Sequence, residues 1–156
     1  MEERNYYGNL FDSKATILCH QVNTTTMGAG IAKQVRERYP RVYEKFKKAV
    51  DKGLMTLGSC QVVAIDDTRT KFIANLCGQD HFGNDGKRYT NYEAIYIALE
   101  KLAKYCKDNK IKSVAFPWNM SCDRGGASWM VISSMIEETF KNNDITIEFW
   151  NLKKEK

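Results

Sequence analysis

Residues 27–32 read MGAGIA, and they follow an apolar run, ATILCHQV over 15–22, through the polar connector NTTT over 23–26. The run has the length of a buried strand and Ile31 opens a helical pattern, so the stretch is a strand-to-helix turn. Gly28, Ala29 and Gly30 let the backbone take positive φ and let a ligand approach the main chain closely. The first turn of the helix leaves N–H groups unpaired at its positive end, which suits an anion such as phosphate. The spacing is neither GxGxxG nor a P-loop, so by itself it fits an ordinary glycine turn better.

Downstream, Pro40 must break the helix near Tyr39, giving a short helix and a second one with Gly53 just past its end. SCQVVAI (59–65) and KFIANLCG (71–78) are separated only by the turn-like DDTRT, too short for a crossover helix, so they form an antiparallel hairpin. A long polar segment with Gly78, Gly83 and Gly86 ends in Thr90-x-x-Glu93, a capping-box pattern for the next helix. That helix, residues 91 to about 109, carries Ile95, Ala98, Leu99, Leu102 and Cys106 on one face, which makes the stripe core. SVAFPWN (113–119) is then a buried strand, SCDRGGA (121–127) a second glycine turn, and Ser128 the start of a helix with Trp129, Ile132, Ile136 and Phe140 on its apolar face. ITIEFWNL (145–152) closes as an alternating strand. Strands alternate with helices, so the class is α/β with a mixed sheet containing at least one antiparallel pair.

Composition narrows the function classes. A chain of 156 residues, 43% hydrophobic, with two prolines, is one domain with a real core and with disorder confined to its ends. The start, MEERNYYGNLF, has acidic residues where a signal peptide needs basic ones, and no apolar run approaches a membrane span, so a cytoplasmic chain without membrane attachment is expected. Cys19, Cys60, Cys77, Cys106 and Cys122 are scattered, odd in number and accompanied by two histidines; no metal site and no disulfide framework is expected. Lys33, Arg36, Arg38, Arg41, Lys45, Lys47, Lys48 and Lys52 concentrate the +5 charge over 33–52, interspersed with Glu37, Glu44 and Asp51. This is the pattern of a solvated helix face, compatible with attraction to an anionic ligand. A nucleic-acid stripe is the alternative, with steep salt dependence as its signature.

The two glycine turns, MGAGIA and DRGGAS, lie nearly a hundred residues apart, yet in an open α/β sheet such turns gather at the carboxyl ends of the strands. Two cradles facing one crevice suit a diphosphate better than a single phosphate.

These residues resemble the macro domain family, whose members bind ADP-ribose. The resemblance runs through YYGNLF, HQVNTTTMGAGIAKQV, YPRVYEKF, LGSCQVV, ANLCGQ, DGKRYTNYEAI and AFPWNMSCDRGGASWMVI. It is strongest to the branch with terminal ADP-ribose protein glycohydrolase, ADP-ribose 1″-phosphate phosphatase and phage macro domains. It implies a three-layer α/β/α sandwich around a mixed sheet of about six strands. The ligand-binding residues it implies are Asn9, Leu10, Met27, Gly28, Ala29, Gly30 and Ile31 on one side. On the other are Ser121, Cys122, Arg124, Gly125, Gly126 and Ala127. In many relatives a GD pair after the first strand sets an Asp against the adenine amino group; here the pair is Gly8-Asn9, whose amide oxygen still accepts a hydrogen bond, without charge assistance.

Where glycohydrolase-like members carry an attacking lysine, this chain has Gln79, and the partner Asp falls near Gly125, so that covalent mechanism is not expected. Asp123 could position water as a general base, with Asn23 and His20 as further catalytic candidates. His20 reads more readily as a structural histidine beside Cys19, and Asn23 reads equally as a turn former. Asp80 and His81 read as loop residues, and Lys87 and Arg88 as phosphate contacts or solvated side chains. Cys122 has no partnered His-Asn pattern and reads as a packed thiol. The expectation is a monomer that binds ADP-ribose, or an ADP-ribosylated small molecule or protein, without a cofactor. It hydrolyses a derivative at the 1″ position, a phosphate or an ADP-ribosyl or acyl ester. The alternatives are a non-catalytic ADP-ribose reader and, from another class, a nucleic-acid-binding protein using the basic 33–52 helices.

Overall fold

A computed structural model describes residues 1–80, 89–122 and 125–152. Among these, β1 (Glu2–Tyr7), β2 (Ile17–Asn23), β3 (Cys60–Ala64), β4 (Phe72–Gln79), β5 (Ser113–Pro117) and β6 (Thr146–Asn151) form one sheet. Its order is β1-β6-β5-β2-β4-β3. All neighbours are parallel except β3 and β4, whose antiparallel register pairs Cys60 with Leu76 and Ala64 with Phe72. The helices are α1 (Gly30–Arg38), α2 (Pro40–Asp51), α3 (Tyr92–Asp108) and α4 (Trp129–Phe140).

Strand alternation sorts the side chains into two cores. Ile17 and Cys19 of β2, with Ala74 and Leu76 of β4, pack with Leu99 and Leu102 of α3 and Ile132 and Phe140 of α4. Leu18 and Val22, with Ile73 and Cys77, point the other way and pack with Val35 of α1 and Val42 and Phe46 of α2. Helices therefore cover both faces, an α/β/α sandwich, as parallel strands require. The break between α1 and α2 falls at Tyr39 (φ −131°, ψ 77°), where Pro40 excludes a helical predecessor and then serves as the first residue of α2. Gly53 takes φ +70° behind α2, and Leu54 N–H closes back on the Ala49 carbonyl at 2.8 Å.

Two sequence expectations are corrected. The N-terminus is ordered: β1 pairs with β6 from Glu2↔Thr146 to Tyr7↔Asn151. Its EERNYY sequence shows no apolar alternation because this edge strand is mostly exposed on both sides. The N-cap of α3 is Asn91, whose side chain accepts from Ala94 N–H at 2.9 Å, and not Thr90. Thr90 is buried, and its hydroxyl serves tertiary bonds described below.

Candidate ligand-binding site

Both glycine turns leave the carboxyl ends of parallel strands, β2 and β5, and they meet. A cavity of about 920 Å³ is lined on one side by Gly28, Ala29, Gly30, Ile31 and Ala32 and on the other by Trp118, Asn119, Met120, Ser121 and Gly125. Asn9, Leu10 and Phe11 from the turn after β1, with Trp150, Asn151 and Leu152 from the end of β6, line it further, as do His20, Gln21, Asn23, Thr26 and Gln79.

The first turn is built locally. Ala29 stands at the N-cap of α1 without a side-chain cap, and the first helical bond runs from Lys33 N–H to the Ala29 carbonyl at 3.2 Å. The amides of Gly30, Ile31 and Ala32 precede that bond, and these three residues line the cavity, as in helix N-termini that receive an anion. Gly30 has φ +59°, a conformation that costs any L side chain about 1–2 kcal/mol. Asn23 shapes the approach: its Oδ1 accepts from Thr25 N–H (2.8 Å), Thr25 Oγ1 (3.1 Å) and Thr26 N–H (2.7 Å). The oxygen is thereby committed to the turn.

The second turn is held from a distance. Asn119 and Ser121 both take left-handed φ, +72° and +71°. Ser121 Oγ donates to Gln21 Oε1 (2.7 Å), Gln21 Nε2 donates to Thr90 Oγ1 (2.9 Å) and to Gln79 Oε1 (3.2 Å), and Thr90 Oγ1 donates to the Ser121 carbonyl (3.0 Å). The Gly125 carbonyl accepts from both Tyr89 and Thr90 N–H, at 2.8 and 2.9 Å. A Cβ on Gly125 would collide with Thr90 Oγ1 and the Ser121 carbonyl. The space a side chain at Gly125 would need is thus filled by neighbours, and Gln79 is buried and engaged by Gln21.

The remaining expected residues are placed as follows. Asn9 lines the cavity, and its Oδ1 also caps the turn after β1 by accepting from Phe11 N–H at 2.9 Å. Met27 is fully buried in the α1/α2 core and backs the first turn instead of lining the cavity. Cys122, Gly126 and Ala127 back the second turn, outside the cavity lining. The Cys122 thiol donates to the Met120 carbonyl at 3.2 Å, and burial pushes its pKa up to about 11, so it is a packed thiol. Asp123, Arg124, His81, Lys87 and Arg88 lie outside the described residues. His20 is 2% exposed, with Nε2 2.6 Å from Asn75 Oδ1, and burial lowers its pKa to about 4. The ring is neutral at physiological pH.

The lining residues that the sequence does not single out include Gln21, Thr26, Phe11, Trp118 and Trp150. Gln21 carried a signal, a long polar side chain inside an otherwise apolar strand. Trp150 sits in the alternating last strand; it stacks on Tyr6 (4.8 Å between centroids) and donates from Nε1 to Glu148 at 2.8 Å. The basic stretch is largely engaged with its neighbours: Lys33 with Glu37 (3.9 Å), Arg41 with Asp67 (2.6 Å) and Lys47 with Asp51 (2.7 Å). Arg36 lies over Tyr43, and Arg38 lies over Phe11, itself a cavity-lining residue.

This architecture has known counterparts. The chain is 24% identical over 145 residues to a DNA ADP-ribosyl glycohydrolase of Thermus aquaticus, a match covering 92% of this chain and 39% of that protein. It is 26% identical over 147 residues to human ADP-ribose glycohydrolase OARD1, covering 93% and 88%. The chain thus spans about two fifths of the length of the bacterial relatives it matches. The solved macrodomain of Mycobacterium tuberculosis DarG superposes with a TM-score of 0.82 at 26% identity, covering 94% of this chain and 96% of that one. Residues 20–136 match the Macro domain family, and with both glycine turns inside that segment the chain belongs to the macro domain family.

Proposed function

We propose that the chain binds ADP-ribose and hydrolyses an ADP-ribose derivative at the 1″ position. The observation that carries this is the meeting of two glycine turns over one cavity, with the uncapped amides of α1 on its wall. A diphosphate fits between two such turns, and adenosine and ribose extend to either end. Relatives named as a DNA ADP-ribosyl glycohydrolase in bacteria and as an ADP-ribose glycohydrolase in human support a hydrolytic reaction. Gln79 carries an amide where a lysine nucleophile would stand, and Gly125 has no side chain, so the attack falls to water. Asp123 supplies the base, while Asn23 and His20 position the sugar and the water. The chain acts as a single unit, since one sheet joins residue 2 to residue 151, and it acts as a monomer without a cofactor. A cytoplasmic setting agrees with the finding that no helix among the described residues is long and apolar enough to cross a membrane.

A second reading, a non-catalytic ADP-ribose reader, is favoured by the engaged amide of Gln79. Calorimetric titration with ADP-ribose decides the first step. Incubation with ADP-ribose 1″-phosphate, with glutamate-linked ADP-ribosyl protein and with ADP-ribosylated DNA decides the second. Binding with product release is expected and names the leaving group. Binding without product from any of the three assigns the reader, and absence of binding overturns both.

A further inference from the structure

A line of polar groups crosses the α1/α2 side of the sheet, through three strands. The Lys45 carbonyl on α2 accepts from Gln61 Nε2 (3.1 Å), Gln61 Oε1 accepts from Asn75 Nδ2 (3.0 Å), and Asn75 Oδ1 meets His20 Nε2 (2.6 Å). The direction of this line is not free. A backbone carbonyl only accepts, so Gln61 turns its amino group to α2 and its oxygen to Asn75. Asn75 must then present its amino group to Gln61 and its oxygen to His20, and Nε2 must carry the ring proton. In the neutral ring Nδ1 is therefore a bare acceptor. It is also the one buried side-chain nitrogen or oxygen among the described residues that has no hydrogen-bond partner. His20 is one of the residues that line the cavity.

We propose that Asn75 and Gln61 are positioning residues that hold His20 in the Nε2–H tautomer, so that Nδ1 accepts a hydrogen bond from a ribose hydroxyl of the bound ligand. This rests on the ADP-ribose reading. A buried acceptor left empty carries a desolvation cost that a matching donor removes. The donors of ADP-ribose are its ribose hydroxyls and the adenine amino group, and the resemblance sets the latter at Asn9; the diphosphate has no donor at neutral pH. The low pKa of His20 keeps the ring neutral, so Nδ1 stays an acceptor across the range in which the protein would work.

The test uses the full ¹⁵N-labelled chain and long-range ¹H–¹⁵N spectra of its two histidines, with His81→Gln assigning the His20 signals. The free protein is expected to show Nε2 protonated and Nδ1 bare, and ADP-ribose to move the Nδ1 resonance upfield. A protonated Nδ1 in the free protein, or an unchanged Nδ1 when calorimetry shows ADP-ribose bound, overturns this inference and leaves the proposed function standing. Failure of ADP-ribose to bind overturns both. Gln61 lies on the edge strand and is half-buried, so its variants should keep the fold. Gln61→Leu is expected to mix the two tautomers and weaken ADP-ribose binding about threefold to tenfold. Gln61→Glu still accepts from Asn75 and is expected to retain the Nε2–H tautomer. A tautomer unchanged in Gln61→Leu overturns the positioning role.

Discussion

The two glycine turns differ in what holds them. The first is shaped by residues within a few positions of one another: Asn23 bonds Thr25 and Thr26, Ala29 caps α1, and Gly30 supplies the left-handed φ. The second is shaped by residues up to 100 positions away, through Ser121 on Gln21 and Gly125 on Tyr89 and Thr90. One cradle is a local conformation and the other is a tertiary construction, so the same chemistry at the cavity wall rests on different dependencies.

Acidification acts on the strand beneath both turns and has the largest expected effect. Between about pH 4 and 6.5 the unfolded chain protonates His20 and the native chain does not, so the unfolded state binds more protons and stability falls as pH falls through this window. Moving the pKa from 6.5 to about 4 corresponds to about 3 kcal/mol, visible as a drop in urea midpoint that His20→Gln removes. Gly125→Ala comes next. Overlap with Thr90 and the Ser121 carbonyl should cost about 2 kcal/mol in chemical denaturation and abolish calorimetric binding of ADP-ribose. Gly30→Ala should cost only about 1 kcal/mol, because no atom lies within 4 Å of its Cβ position and the penalty is the backbone alone. Its binding should weaken all the same, since the first-turn amides shift. Ser121→Ala, which removes one hydroxyl from the second turn, should cost about 0.5–1 kcal/mol. Equal losses of stability from Gly30→Ala and Gly125→Ala would erase the contrast between the turns.

The same division explains what the sequence revealed. The first turn, the break at Pro40, the 59–78 hairpin and the α3 and α4 core faces follow from short-range patterns, and they appear where expected. At Thr90 a capping box and a tertiary hydroxyl look alike in one dimension; only the approach of Gln21 and Ser121 tells them apart. The role of Gln21 is not legible in sequence because its partners come from β4, the residues before α3 and the turn after β5. The β1 strand has no apolar alternation, and its evidence lies in β6, at the other end of the chain. The position of Met27 in the motif points to the ligand, whereas its side chain belongs to the core under the motif.

The pairing of β1 with β6 also sets an order of assembly. Strands β2, β4 and β3 can join as soon as residue 79 is available, whereas β1 gains its sheet partner only after residues 146–151 have been added. On a translating ribosome the first strand made is therefore the last to be stitched into the sheet, and the turn at Asn9 that follows it waits too. One end of the cavity is thus completed only when synthesis has passed the last strand.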